Sequence, residues 1–242
     1  MTNNLMYTFV GNERPNPIGG DCYNCIYCYI HGKKGMKIRF KHIRDKYSGE
    51  FKVYDKLMDR VKNIRSDKPV FVCDCIDCMH ENMPKEIILE LLWNIEHNRY
   101  KTIFILLTKN PYRFIEFINY IPDNVILGVT IESNWNYPSI TDAPNQLDRI
   151  NQTIKLREVL TFMNKKNKIF ISIEPVMKFH LVVFIKQIFK IIPDFGVAIG
   201  YDSKHHKLDE PELKYTLSLR NNLLIAGITV YDKLLRKAHW EK

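Results

Sequence analysis

The chain has 242 residues, 45% of them apolar and 26% charged, the balance of a soluble globular protein with enough residues for a substantial core in one α/β domain. No run approaches the ~18 apolar residues needed to cross a bilayer, and the first residues lack the basic-then-apolar pattern of a secretion signal, so a cytoplasmic protein with no membrane partner is expected. The formal net charge is +9 and the six cysteines fall in two tight groups, which argues against a disulfide framework and for metal-ligating thiols in a reducing compartment.

In chain order, residues 6–10 (Met-Tyr-Thr-Phe-Val) are a short β-type run that stops at Gly11 and predicts a first strand leading into a cysteine loop. After that loop, 30–44 is basic and shows no clear period. Ser48 can cap a helix ending at Asn63, with Phe51, Tyr54, Leu57, Met58 and Val61 at helical spacing. Residues 69–72 (Pro-Val-Phe-Val) read as a buried strand running straight into Cys73. From there strands and helices alternate. A helix from Pro84 to about His97 carries Ile87, Ile88, Leu91, Leu92 and Ile95 on one stripe, and 102–107 is a continuous apolar strand. A helix from Asn110-Pro111 to Tyr120, a strand over 124–131, a polar loop over 132–142 and a long helix near 143–164 follow. The remainder predicts strand 168–173, helix 179–191, strand 195–199, helix 211–226 and a last strand over 228–231.

Near-continuous apolar strands between amphipathic helices predict a parallel sheet covered on both faces. The whole chain, 1–242, reads as one domain without linker, low-complexity tract or repeat. Six or seven such units fit a partial or complete (β/α) barrel, with an open doubly wound sheet as the competing arrangement. In either, functional groups belong at the C-terminal ends of the strands. Those ends are crowded with polar groups, among them Asp77, Thr108, Lys109, Thr130, Glu132, Ser172, Glu174, Asp202 and Lys233. So many polar strand tips predict a site there.

Cys22, Cys25 and Cys28 fall within seven residues of the stretch Asn-Pro-Ile-Gly-Gly-Asp-Cys-Tyr-Asn-Cys-Ile-Tyr-Cys-Tyr, 16–29. Such a loop can wrap three sulfurs around one face of a metal centre, with Gly19 and Gly20 supplying unusual backbone angles. Three thiolates suit three irons of a cubic [4Fe–4S] cluster whose fourth iron takes a non-protein ligand. A zinc completed by a distant Cys or His, and free thiols in a core, are the alternatives. A second trio is Cys73, Cys75 and Cys78. If the strand persists, Cys73 and Cys75 share a side and Cys78 joins them, with His80 or an external group as fourth ligand. This suits a second iron–sulfur cluster, a zinc, a thiol hydrogen donor at Cys75 or Cys78, or packing. His205 and His206 are expected in solvent. Basic residues concentrate between Lys33 and Lys68 with Phe40, Tyr47, Phe51 and Tyr54 interleaved, which suits a nucleic-acid backbone, a solvated helix face being the alternative.

The 16–29 segment resembles the cluster loop of the radical S-adenosylmethionine superfamily, whose usual spacing is Cys, three residues, Cys, two residues, Cys; here the first gap is two residues. Tyr27 and Tyr29 around the last cysteine match that pattern. Asn-Pro-x-x-Gly ahead of the cysteines is similar to the phage-type and spore-photoproduct-lyase-like groups of the superfamily. So are Leu-Leu-Thr-Lys109-Asn-Pro and Leu-Gly-Val-Thr130-Ile-Glu, and the likeness runs from about Asn16 to Lys233. The resemblance implies a six-unit partial TIM-type barrel and a [4Fe–4S] cluster on Cys22, Cys25 and Cys28. It also implies S-adenosylmethionine held by Lys109 at its carboxylate and by Thr130, with Tyr27 near the adenine. Asp77 matches the acidic position of the family, and Glu132 and Glu174 join the expected cofactor contacts. The implied activity is reductive cleavage of S-adenosylmethionine to a 5′-deoxyadenosyl radical that abstracts hydrogen from a substrate, fed by a flavodoxin- or ferredoxin-type electron donor. The basic surface and the photoproduct-lyase likeness favour a DNA or RNA base as the target of repair or modification, a peptide or small metabolite being the alternative. The 73–78 cysteines depart from the relatives, where small or polar residues stand. Competing classes are a non-catalytic iron–sulfur or zinc nucleic-acid-binding protein, and a metal-dependent barrel hydrolase, which the excess of thiols over His and carboxylates disfavours.

Overall fold

A computed structural model describes residues 8–242 of the chain. Ile18–Gly19 (β1) pairs antiparallel with Lys52–Val53 (β2), and between them lie the first cysteine loop and two short helices, Met36–Arg39 (α1) and Lys41–Lys46 (α2). Asp55–Asn63 (α3) leads to the main sheet. There Val70–Val72 (β3), Phe104–Thr108 (β4), Val125–Thr130 (β5), Ile169–Ile173 (β6), Gly196–Ile199 (β7) and Val230–Asp232 (β8) lie side by side in chain order, all parallel. The crossovers carry Lys85–Glu96 (α4), Tyr112–Glu116 (α5), Gln146–Phe162 (α6), Leu181–Ile191 (α7) and Leu213–Ile225 (α8). The sheet curls into a half-barrel with helices around it, the partial TIM-type barrel expected from the sequence.

Alternation along each strand divides the buried side chains between two faces. Val72, Leu106, Leu127, Ile171 and Val197 belong to the core shared with the helices. Phe71, Ile105, Ile126, Phe170 and Ala198 occupy the concave side. Phe9 packs into that side, its ring 5.4, 5.3 and 4.1 Å from those of Phe170, Phe195 and Tyr231. Carrying the inward parity one or two steps toward the strand ends gives Cys73, Leu107, Lys109, Thr130, Ser172 and Glu174, and these line a cavity at the barrel mouth. Gly128, at an inward position of β5, leaves room for its neighbour: a Cβ there would stand 2.9 Å from Leu107 Cδ1.

Three expected elements differ. In the 6–10 strand, Met6 and Tyr7 lie outside the described residues, and 8–10 form a turn and a bend. The helix to Asn63 starts at Asp55 instead of after Ser48, because Lys52 and Val53 pair with β1. The helix after Pro111 stops at Glu116, and the chain beyond it leaves helical geometry with Phe117, Ile118 and Ile121 buried. Among the described residues no helix is long and apolar enough to cross a membrane.

The turn between α4 and β4 is held by Asn98, which is 1% exposed. Its Nδ2 donates to the Val61 and Ile64 carbonyls at 2.7 and 3.0 Å, and its Oδ1 accepts from the Tyr100 and Thr102 amides, both at 3.0 Å. Asn98→Ala leaves these buried partners unpaired and should cost about 3 kcal/mol. The loss would be read as a lower urea midpoint with an unchanged m-value.

Candidate active site

Short contacts with α2 and the chain beyond it shape the segment before the first cysteines. A Cβ on Gly19 would lie 2.3 Å from the Lys46 carbonyl oxygen, and Gly20 sits at φ +128°, where side chains are strained. Beyond this turn Cys22, Cys25 and Cys28 line one wall of a cavity of about 260 Å³. The Asp77 amide donates to Cys22 Sγ and the His31 amide to Cys28 Sγ, both at 3.3 Å, while Cys25 Sγ and Thr141 Oγ1 share a hydrogen bond of 3.0 Å. Burial raises the pKa of Cys22, with Asp77 adding to it, and burial likewise raises that of Cys25. A bound metal would therefore supply the positive charge that keeps these sulfurs as thiolates. Among the described residues no three Cys, His, Asp or Glu side chains converge as ligands of a single ion do. Three thiols on one wall, each with a hydrogen-bonding partner, fit a polynuclear iron–sulfur centre better than a lone zinc.

Asp77 stitches the loop after β3 to the end of β4. Its Oδ2 accepts from Thr108 Oγ1 at 3.0 Å and the Lys109 amide at 2.8 Å, and its Oδ1 from the Met79 amide at 3.0 Å. It lines the cavity, but both oxygens are engaged, so it positions Lys109 where direct cofactor contact was expected. The Lys109 ammonium stands 5.6 Å over the Tyr27 ring. Among the described residues no hydrogen bond or ion pair holds it. Burial acts to lower its pKa, but the Cys25 sulfur and the Glu132 carboxylate outweigh burial and keep it protonated.

Glu132 does not line the cavity. β5 ends at Thr130, so the inward parity stops two residues short of it. Fully buried, Glu132 pairs with Arg149 Nη1 at 2.7 Å and accepts the Tyr27 hydroxyl. Arg149, also without exposed side-chain surface, donates to the Pro144 and Thr130 carbonyls at 2.6 and 3.1 Å. Burial pushes the Glu132 carboxyl up, but Arg149 and Lys109 overcome this and hold it below its ordinary value. The chain Arg149–Glu132–Tyr27 thereby ties α6 and the β5 tip to the cysteine loop.

The second cysteine trio is not brought together. β3 ends at Val72 and Cys73 adopts φ +60°, so Cys73 and Cys75 do not continue one strand face. The buried Cys73 and Cys78 thiols hydrogen-bond to each other, and Cys78 does not reach the cavity. Cys75 lines it, with Sγ 3.4 Å from the Tyr29 hydroxyl and the Tyr47 hydroxyl also against it. Burial, followed by Asp74, pushes the Cys75 thiol up to about 12. His80 is not a fourth ligand: its ring lies 4.3 Å from that of Tyr23, and its Nδ1 accepts from the Asn82 amide. Asn16 joins the two cysteine segments, donating to Asp74 Oδ1 at 2.6 Å and accepting from the Cys75 amide at 3.0 Å.

On the opposite wall Glu174 and Lys233 pair through both carboxylate oxygens, at 2.7 and 2.8 Å, so Glu174 meets a lysine as well as the cavity. Tyr201, Asp202, Ser203 and Lys204 complete that wall. His206, expected in solvent, has only 5% of its side chain exposed, with Nδ1 3.0 Å from Asp202; His205 is exposed as expected. Lys34 Nζ donates to the Lys204 and His205 carbonyls, both at 2.8 Å, linking this loop to the segment after Cys28. Sequence reasoning missed Arg149 and Thr141, one on a largely polar helix and the other in a polar loop; neither setting signals burial.

Arg149→Met strands a buried carboxylate and should cost about 3–5 kcal/mol at pH 7 in urea unfolding. In the wild type the depressed Glu132 pKa contributes stability above the unfolded value, lost as pH falls through the folded value. In the variant burial raises that pKa, so the deficit should narrow as pH drops toward about 5. The double variant Arg149→Met/Glu132→Gln should recover most of the loss.

A family model described as "Protein of unknown function (DUF5131)" matches residues 11–192, which contain both cysteine groups, Lys109, Thr130 and Glu174. No curated protein matches the chain. Among solved structures, a spore photoproduct lyase variant with bound AdoMet and dinucleoside spore photoproduct superposes with a TM-score of 0.53 at 9% identity, over 92% of this chain and 64% of that one. A second spore photoproduct lyase variant gives 0.55 at 8% identity, over 98% and 81%. At such identity the likeness is one of fold, and this chain spans 64% of the length of the first lyase chain. The match over 11–192 shows the family: the chain belongs to the DUF5131 family of proteins of unknown function.

Proposed function

We propose that this chain is a radical S-adenosylmethionine enzyme whose substrate is a nucleic-acid base. The observation that carries the reading is the Lys109 ammonium, protonated, over the Tyr27 ring and without a hydrogen-bonding or ion-pair partner among the described residues, in the cavity that Cys22, Cys25 and Cys28 line. The shared fold with a lyase that binds AdoMet supports it. The three thiols would hold a [4Fe–4S] cluster. When bound, cluster and S-adenosylmethionine supply a one-electron cleavage of the sulfonium, giving a 5′-deoxyadenosyl radical able to take hydrogen from carbon.

The chain's own residues do the rest. Lys109 neutralises a carboxylate in the cavity, its backbone fixed by Asp77, and Thr130 offers a hydroxyl beside it. Tyr27, held through Glu132 and Arg149, keeps the cysteine loop against the β5 tip. Phe71 and Leu107 give the cavity apolar surface that limits water. Of the two thiols expected as hydrogen donors we favour Cys75, which lines the cavity, keeps its proton and lies beside the Tyr29 hydroxyl; Cys78 sits away from the cavity. The net charge of +9 supports a polyanionic substrate, and a flavodoxin- or ferredoxin-type protein is the proposed electron donor. A non-catalytic iron–sulfur nucleic-acid binder would use the same thiols and charge but leave the Lys109 ammonium without a task.

Anaerobically purified protein should contain about four irons with matching sulfide per chain, and Cys25→Ala should lose both. Zinc without sulfide would overturn the reading. With S-adenosylmethionine and dithionite, the cluster-loaded protein should release 5′-deoxyadenosine, and a loaded protein releasing none would also overturn it. Lys109→Met should raise the KM for S-adenosylmethionine about tenfold or more, the loss of one charge-assisted contact. Cys75→Ala should keep iron and 5′-deoxyadenosine release while losing substrate-derived product.

A further inference from the structure

We infer that α1 and α2, with the residues leading into them, form a platform for single-stranded nucleic acid at the rim of the cavity; the inference rests on the reading of that cavity as the active site of a base-modifying enzyme. Neither helix buries a single side chain. Met36 and Ile43 pack half-buried against the core, and Ile38, Arg39, Lys41, His42, Arg44 and Asp45 are exposed, so most of what these helices present is surface. Between Lys33 and Lys46 seven Lys or Arg stand against one acid, Asp45. Among the described residues, only Lys37 and Lys41 of that stretch have carboxylate partners, Asp21 at 3.1 Å and Asp45 at 2.5 Å. Lys34 and Lys46 are held by backbone carbonyls, and Lys33, Arg39 and Arg44 remain exposed without a carboxylate among the described residues, a cationic excess at the surface.

Inside that field two large apolar side chains are displayed, Ile38 at 61% and Phe40 at 46% exposure. A merely solvated basic face does not require them. Phosphates take the cations, while a base plane takes the exposed ring, and this pairing suits a single strand because only unstacked bases offer their faces. The other interleaved aromatics are withdrawn: Tyr47 is buried, and Tyr54 lies under the Lys46 ammonium at 4.6 Å. Stacking on the platform therefore centres on Phe40, with the His42 ring 5.9 Å away.

The platform is joined directly to the cavity wall. The Met36 and Lys37 amides donate to the Tyr29 and Ile30 carbonyls at 2.8 and 3.1 Å, and Tyr29 and His31 line the cavity. A strand laid over α1 and α2 thus reaches the mouth, where one base can enter while its neighbours stay outside.

The test is fluorescence anisotropy of a labelled twelve-nucleotide single strand against the full chain, from 50 to 300 mM salt. Phe40→Ala should weaken binding about fivefold to a hundredfold without altering the salt slope. Arg39→Ala/Arg44→Ala should flatten the slope of log K against log salt by about 1.4, two phosphate contacts at ~0.7 each. No oligonucleotide binding, or binding that neither variant changes, would overturn the inference. So would variants that bind the strand normally but accept electrons slowly from a flavodoxin-type donor, since the platform would then serve an acidic redox protein. The same preparations are assayed for 5′-deoxyadenosine release with dithionite. Release without strand binding removes the platform and keeps the enzyme reading; the predicted binding by a cluster-loaded chain that never releases it does the reverse.

Discussion

A side chain on a β-strand has two faces to choose from, and in a sheet buried on both sides each choice fixes a fate. Every strand of this half-barrel sends alternate residues to the helices and to the concave side. The parity that seats Phe71, Ile105, Ile126 and Phe170 inside also delivers Cys73, Lys109, Thr130, Ser172 and Glu174 to the mouth. Core and site are therefore one pattern. A register slip of one residue would invert both at once, so selection for a packed interior and for a polar mouth act on the same alternation.

Charge at the mouth is distributed with the same economy. Most of the cavity's ionic groups are matched: Glu174 with Lys233, Asp202 with His206, and Asp77 with backbone and hydroxyl donors. Beneath the cavity Glu132 and Arg149 match each other. Lys109 stands apart, close to Cys25 and Glu132 electrostatically yet hydrogen-bonded to neither. Kept protonated by those two neighbours, the ammonium retains its hydrogen-bonding capacity in a partly apolar cavity, and the proposed contact with a carboxylate rests on that.

Much of this was legible in the residue order, and the failures share a cause. The six main strands, five crossover helices and the cysteine-lined mouth follow from apolar runs, helical stripes and clustered thiols. Inference broke where a strand face was carried past the strand's last residue. Cys75 turns toward Tyr29 because β3 stops at Val72, and Glu132 sinks toward Arg149 because β5 stops at Thr130. Periodicity reports the faces of an element but not its last residue, and the chemistry lies just past that point. Arg149 was invisible for a different reason: a charge in a mainly polar helix looks solvated until its buried partner is known. The β1–β2 pair was hidden too, since two residues per strand leave no period to read.

That small antiparallel pair has a wider meaning. It closes the base of an excursion that begins after Gly19 and ends before Lys52, holding the first three thiols at one end and the cationic helices at the other. Three thiols and a cationic surface are thus carried on a single leaf, based at the β1–β2 pair and clasped at its far side by Lys34 against the loop after β7. The Met36 and Lys37 amides on the Tyr29 and Ile30 carbonyls tie the two halves together, so a displacement of the outer helices would be carried to the cysteine turn.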